Sequence, residues 1–499
     1  MPVDFQELNA DRNQGWRNEL RGSLSAKERS GLPRCKMPER QPMERILGFL
    51  EVNSGLAEEA AVQEAKRCLD CSTPTCISGC PVNINIPGFI KLIEKKDFLA
   101  AARKLKETNA LPAVCGRVCP QEVQCEANCV YQKMKKPPVA IGYLERFASD
   151  CERLSGSVSL PPSEGGSLVR VAAIGSGPAS LTFAGQMAKH GYQVTVFEAL
   201  HELAGVLSYG IPEFRLPKSI VRSEIAYLEA LGVVFQRNVI VGKTLTIEDM
   251  KEQGFRGFFI GSGAGLPKFM HIPGENSIGI YSSNEYLTRV NLMKAYQFPD
   301  YDTPIVRGKR VAVIGGGNTA MDSVRTAVRL GAEKAMIVYR RSEQEMPARI
   351  EEAHHAKEEG VEFLTLTNPI EYIADADGRV KQMKVQKMGL GAADDSGRKR
   401  PVVIPGSEYL IDVDTVVVGV GTDPNPLIPQ SIAGLEITKW GTIVVNEETM
   451  QTAVPEIFAG GDIVRGGATV ILAMGDGKKA AESLHAYLTG KGSGNLRTG

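Results

Sequence analysis

LVRVAAIGSGPASLTFAGQMAKHGYQVTVFEA (168–199) reads as strand, glycine turn, helix and second strand. Strands alternating with helices at this spacing predict an α/β fold with parallel sheets. Gly175 allows the tight turn, and Gly177 lets a pyrophosphate approach the backbone. The helix opening on Pro178, Ala179 and Ser180 supplies N–H donors and the positive end of its dipole. Ser180 stands where the fingerprint has its third glycine and is small enough for close helix–strand packing. Glu198, at the end of the second strand, is placed to accept from a ribose hydroxyl.

The same arrangement returns in KRVAVIGGGNTAMDSVRTAVRLGAEKAMIVYRRS (309–342). Gly315, Gly317 and Ala320 fit G-x-G-x-x-A, but Arg340 and Arg341 replace the acid. Arginine accommodates a 2′-phosphate that a carboxylate would repel, so NADP is expected over NAD. A solvated arginine pair after a strand is the competing reading. FRGFFIGSGAG (255–265), with Gly261, and IDVDTVVVGVGTDPN (411–425) read as further buried strands ending in glycine turns. EIFAGGDIVRGGATVILAMGDGKKAAESLHAYL (456–488) gives a strand, Gly460-Gly461-Asp462 and a long helix. One dinucleotide-binding domain inserted in another explains this order. The expected division is 168–300 plus 408–492 around 301–407.

Upstream, eight of the ten cysteines form two runs. Cys68, Cys71, Cys76 and Cys80 are spaced C-x2-C-x4-C-x3-C, with Pro81 following. Cys115, Cys119, Cys125 and Cys129 are spaced C-x3-C-x5-C-x3-C, with Pro120 after the second. Thiolates hold iron–sulfur clusters, and a cysteine before proline can ligate the other cluster of a pair, so the runs interlock. Zinc or a thioredoxin-like C-x2-C is the competing reading, but the gaps are irregular and residues 68–129 contain no histidine. Residues 1–160 are expected to form a helical domain, with helices over 87–111 and 140–154. SGSVSLPPSEGGS (155–167) is the expected linker.

Lys+Arg and Asp+Glu both number 58, so no net field favours nucleic acid or an anionic membrane. No apolar run approaches the roughly 18 residues of a membrane span. The polar N-terminus has no signal-peptide core, and a cytoplasmic location is expected.

In combination these stretches, with GVLSYGIPEFRLPK (205–218) and YRRSEQEMPA (339–348), resemble the two-dinucleotide-binding flavoproteins. More narrowly, they are similar to the NADPH-oxidising small (beta) subunits of glutamate synthase. The electron-input region of dihydropyrimidine dehydrogenase and the large subunit of NADH-dependent ferredoxin:NADP oxidoreductase share the pattern. The resemblance implies FAD, NADPH and two [4Fe-4S] clusters. It implies one cluster on Cys68, Cys71, Cys76 and Cys129, and the other on Cys80, Cys119, Cys125 and Glu145, with Cys115 a bystander. Gly205, Leu207, Gly210, Ile211 and Arg215 would line the flavin, and Asp462, Thr469 and Val470 would reach its ribityl-phosphate region. Asn318 and Thr319 would meet the NADPH pyrophosphate.

The implied chemistry is hydride transfer from NADPH to flavin, then single electrons through the clusters to an acceptor. Hydride transfer needs no side-chain acid or base, so no catalytic side chain is nominated. The first cysteine is Cys35, and no (β/α)8 pattern remains to hold FMN. Ammonia release and imine reduction would therefore fall to a large amidotransferase–FMN subunit. The alternative within the family is an oxidoreductase coupling NADPH to ferredoxin, NAD or sulfur compounds through another redox flavoprotein.

Overall fold

A computed structural model describes residues 5–161, 166–394 and 397–490. Part of the expected linker, 162–165, lies outside them. The cysteine-bearing region is built from short helices, among them α1 (Ile86–Glu94), α2 (Phe98–Lys106), α3 (Pro112–Val118) and α4 (Ile141–Ser155). The single helix expected over 87–111 is two. The chain turns at Lys95-Lys96-Asp97, where Lys96 is left-handed (φ 65°) and Asp97 caps α2 by accepting from the Ala100 N–H.

The chain then runs through β1 (Arg170–Ile174), α5 (Pro178–Lys189), β2 (Gln193–Phe197), α6 (Lys218–Ala230), β3 (Val234–Gln236) and β4 (Phe255–Ile260). Next come β5 (Ile280–Ser282), α7 (Ser283–Asn291), β6 (Arg310–Ile314), α8 (Asn318–Arg329), β7 (Lys334–Tyr339), α9 (Ile350–Glu358) and β8 (Glu362–Thr365). After them stand β9 (Thr367–Ala374), β10 (Val380–Ala393), β11 (Lys399–Val403), β12 (Tyr409–Asp412), β13 (Thr415–Val418), β14 (Ile457–Ala459) and α10 (Val470–Leu488).

Two five-stranded parallel sheets result, ordered β14-β4-β1-β2-β3 and β5-β13-β6-β7-β8. The sheets correspond strand for strand: β6 matches β1, and β13 matches β4. The division drawn from sequence needs correcting here. The strand within 411–425 was grouped with the first unit, yet β13 pairs with β6 and with β5. It is buried along its whole length and needs two parallel neighbours. β5 and α7, also grouped with the first unit, pair and pack in the second, where Tyr286, Leu287 and Val290 join Val311 and Val313. The second sheet thus draws on residues 280–418. Within that span β9, β10, β11 and β12 form a separate antiparallel sheet.

The cysteine domain and the first unit share one apolar core, in which Leu111, Val114 and Leu144 lie with Phe183, Leu228 and Met474. Gly477 of α10 meets α5 so closely that a Cβ would overlap the Ala179 carbonyl. Among the described residues no helix is long and apolar enough to cross a membrane.

Candidate functional site

Each sheet ends in the same turn. Gly175 (φ 87°) sits against Gly261, and Gly315 (φ 136°) against Gly419; in both, a Cβ would meet the opposing carbonyl. Such φ values favour glycine, and the close approach requires it. Pro178 and Asn318 open α5 and α8 directly behind the turns, so first-turn amides face the place where a pyrophosphate would lie. Ser180 and Ala320 are fully buried, and Ser180 leaves no room for a Cβ at Gly261.

Glu198 is buried, and its carboxylate accepts from Ser176 N (2.8 Å), Ser176 Oγ (2.5 Å) and Leu200 N (2.9 Å). It braces the glycine turn. Ala204 N donates to Ser176 Oγ (2.9 Å), and a Cβ on Gly205 would lie 3.2 Å from Gly177 Cα. The 204–211 segment, with buried Leu207 and Ile211 and half-buried Gly210, therefore folds over the first turn. Tyr209 of the same segment escaped sequence reasoning. Burial, then the charges of Asp462 and Glu198, push its hydroxyl up to about 12.

Gly461 (φ 76°) donates to Asp476 (3.0 Å), which also binds Arg465 (2.6 Å). Asp462 follows, its carboxyl pushed up to about 6 by burial although Ala468 N donates to it. Thr469 caps α10, and Val470 begins it. Arg215 goes elsewhere than the flavin contact expected of it. Its guanidinium pairs with Asp322 of α8 (2.7 Å) and Glu352 of α9 (3.1 Å), joining the two units through buried charges. Nothing local in its sequence announces those partners.

In the second unit Asn318 Oδ1 accepts from Arg349 N (2.9 Å), and Thr319 is exposed. The arginine pair divides. Arg340 is exposed, whereas Arg341 is buried and holds Asp394 (2.6 Å). Gly175 N bonds Phe197 O, and Gly315 N bonds Val338 O. Tyr339, rather than Arg340, is therefore the counterpart of Glu198. Its ring lies where a Cβ of Gly316 would be.

The cysteines gather around two cavities. One is lined by Cys68, Cys71, Cys76 and Cys129; the other by Cys80, Cys119, Cys125, Glu145 and Cys115. Ile86 and Ile141 line both. Burial pushes the Cys68 and Cys80 thiols up to about 12, and the Glu145 carboxyl up to about 8. A metal ion or cluster held there would have to displace these protons on binding. Asn109 donates to Glu145 (2.7 Å), while Cys115 Sγ rests 3.4 Å from Met474 Sδ on α10. Asp70, between Cys68 and Cys71, was also missed. It is left-handed (φ 52°), fully buried and paired with Arg17 (2.6 Å) and Arg21 (2.7 Å). Lys91 donates to Cys68 O (2.7 Å).

Residues 45–157 match the family described as dihydropyrimidine dehydrogenase domain II, 4Fe-4S cluster, and residues 169–477 match pyridine nucleotide-disulphide oxidoreductase. The glutamate synthase (NADPH) small chain of Azospirillum brasilense is 36% identical over 91% of this chain and 95% of its own. The chain belongs to the glutamate synthase small-chain family. The Escherichia coli glutamate synthase (NADPH) small chain is 34% identical over 90% of this chain and 96% of its own. The NADP(+)-dependent formate dehydrogenase subunit beta of Moorella thermoacetica is 37% identical over 83% of this chain and 60% of its own. Mycobacterium tuberculosis FprA, solved in complex with NADPH, shares the fold at TM-score 0.54 and 19% identity, covering 65% of this chain and 86% of that one. As a glutamate synthase small-chain relative, the protein is an NADPH-dependent oxidoreductase with FAD and iron–sulfur centres.

Proposed function

We propose that this chain feeds electrons from NADPH to a large amidotransferase–FMN subunit that makes glutamate, in the cytoplasm. The observation that carries the reading is the match to glutamate synthase small chains over nearly the full length of both proteins. When bound, NADPH and FAD supply two-electron chemistry and the clusters supply one-electron transfer.

The protein's own groups bind, orient and enclose. Gly175, Gly177 and the start of α5 would cradle the flavin pyrophosphate, with Glu198 toward its ribose. Leu207, Gly210 and Ile211 would cover it, and Gly461, Asp462, Thr469 and Val470 would close the site from α10. Gly315, Gly317, Asn318 and Thr319 would receive the NADPH pyrophosphate, with Arg340 the cation for its 2′-phosphate and Arg341 behind it. The cavity of Cys68, Cys71, Cys76 and Cys129 would take one [4Fe-4S] cluster. That of Cys80, Cys119, Cys125 and Glu145 would take the other, with Cys115 unligated.

The second cavity lies nearer α10, since Ile471 lines it and Lys478 of α10 donates to Val82 O (2.9 Å). The first is therefore the exit. Two of its four cysteines, Cys71 and Cys76, are part-exposed, against Cys125 alone in the second cavity, so a partner can approach there.

The formate dehydrogenase relative favours a second reading, with a different acceptor on the same electron-input unit. Purification from the native cell with its partners, followed by glutamine-dependent NADPH oxidation with and without 2-oxoglutarate, separates them. Dependence on 2-oxoglutarate supports glutamate synthesis. NADPH:dye reduction without such dependence in the intact complex overturns it.

A further inference from the structure

The second unit and the cysteine domain touch directly, and one arginine makes much of the junction. Arg349, just ahead of α9, is 7% exposed. Its backbone N–H donates to Asn318 Oδ1, and the preceding Ala348 N–H donates to Gly316 O (3.1 Å) in the glycine turn itself. Its guanidinium reaches the other way, donating to Arg117 O and Gln121 Oε1, both at 2.8 Å. Glu351 pairs with it at 3.0 Å, and Ile350 N–H donates to Glu122 Oε1 (3.2 Å). Gln121 lines the second cavity beside Cys119 and Cys125, and its Nε2 donates to Cys115 O (3.3 Å). Gly142 packs so closely that a Cβ there would overlap the Gln121 amide. An unbroken hydrogen-bonded path therefore joins the nucleotide turn to the cavity wall.

We propose that Arg349 couples the two sites, so that a nucleotide pyrophosphate at the second glycine turn alters the hydrogen bonding around the second cavity. This rests on the reading of that cavity as a cluster site. A pyrophosphate drawn to the α8 N-terminus acts on Asn318 and on the turn that orients the 348–349 backbone. The Arg349 guanidinium is buried and gripped by two acceptors, so displacement of its backbone reaches Gln121 rather than dissipating in solvent. Hydrogen bonds around a cluster set its potential. Coupling is reciprocal: reducing the cluster changes nucleotide affinity by the factor by which nucleotide changes the reduction equilibrium. Arg349 is thus a positioning residue, acting through Gln121. A merely structural arginine would hold the units together and leave the two equilibria independent.

The test uses holoprotein and 2′-phospho-ADP-ribose, which keeps the pyrophosphate and 2′-phosphate but has no nicotinamide to reduce. Its affinity is measured for oxidised and reduced protein, and EPR spectra of the reduced clusters are recorded with and without it. The expected result is an affinity difference of about fivefold or more, with a perturbed signal only from the cluster that Cys119→Ser removes. Arg349→Ala should abolish both effects while keeping full iron content, and Arg349→Lys should restore part of them. If Arg349→Ala loses iron, Gln121→Met removes the acceptor from the other side of the joint and must also reduce both effects. Equal affinities in wild type, or an undiminished effect in these variants, overturn the proposal. Missing iron in the wild-type holoprotein would instead refute the cluster assignment.

Discussion

At the scale of single residues, two substitutions separate ligand from neighbour. Cys115 and Cys119 line the same cavity, and Cys115 also contacts Met474. Cys115→Ser should keep full iron content, and Cys119→Ser should lose one cluster, as read by iron analysis and EPR; equal losses would make Cys115 a ligand. Arg340→Ala should raise the KM for NADPH roughly 10- to 100-fold, the worth of a charged hydrogen bond or two, and leave the KM for NADH almost unchanged. Steady-state kinetics with both nucleotides checks it. The glycines of the two turns were legible because positive φ and close backbone approach admit little else. The cysteines were legible because ligand spacing is local. Arg215 and Arg341 were not, because their partners Asp322, Glu352 and Asp394 lie far along the chain. Tyr339 was missed for a smaller reason: the helix–strand connection of the second unit is one residue longer, which only the hydrogen-bond register reveals.

At the scale of elements, α6 meets α3 through a buried carboxylate. Glu224 accepts from Ala113 N (2.8 Å), and burial raises its carboxyl from 4.5 to about 7. Between those values the folded protein keeps a proton that the unfolded chain has released, so stability falls as pH rises through that window. The penalty is at most about 3 kcal/mol. Glu224→Gln should therefore raise the melting temperature clearly at pH 8 and much less at pH 5, measured on holoprotein. Equal shifts at the two pH values would show that the gain has another origin. Strand existence was readable from apolar runs, but strand membership was not. β13 lies about 100 residues after β6 in the chain, and nothing local says which of two similar sheets will accept it.

At the scale of the whole molecule, the 155–167 stretch is a boundary in the chain but not in the packing. The cysteine domain and the first unit contribute to one core. α10 is wedged between them: Gly477 lies against the Ala179 carbonyl, and a Cβ on Gly475 would come 3.1 Å from Pro81 O. A seam that tight cannot open without exposing the core of both halves, so local opening there approaches global unfolding in cost. Cutting the chain in that stretch with an engineered protease site should release nothing. The two fragments should co-elute and melt in one transition, as read by gel filtration and calorimetry, whereas a free cysteine-domain fragment would disprove the shared core. It follows that the electron-carrying half is not a detachable module: evolution or engineering that swaps it onto another flavoprotein must carry α10 along with it.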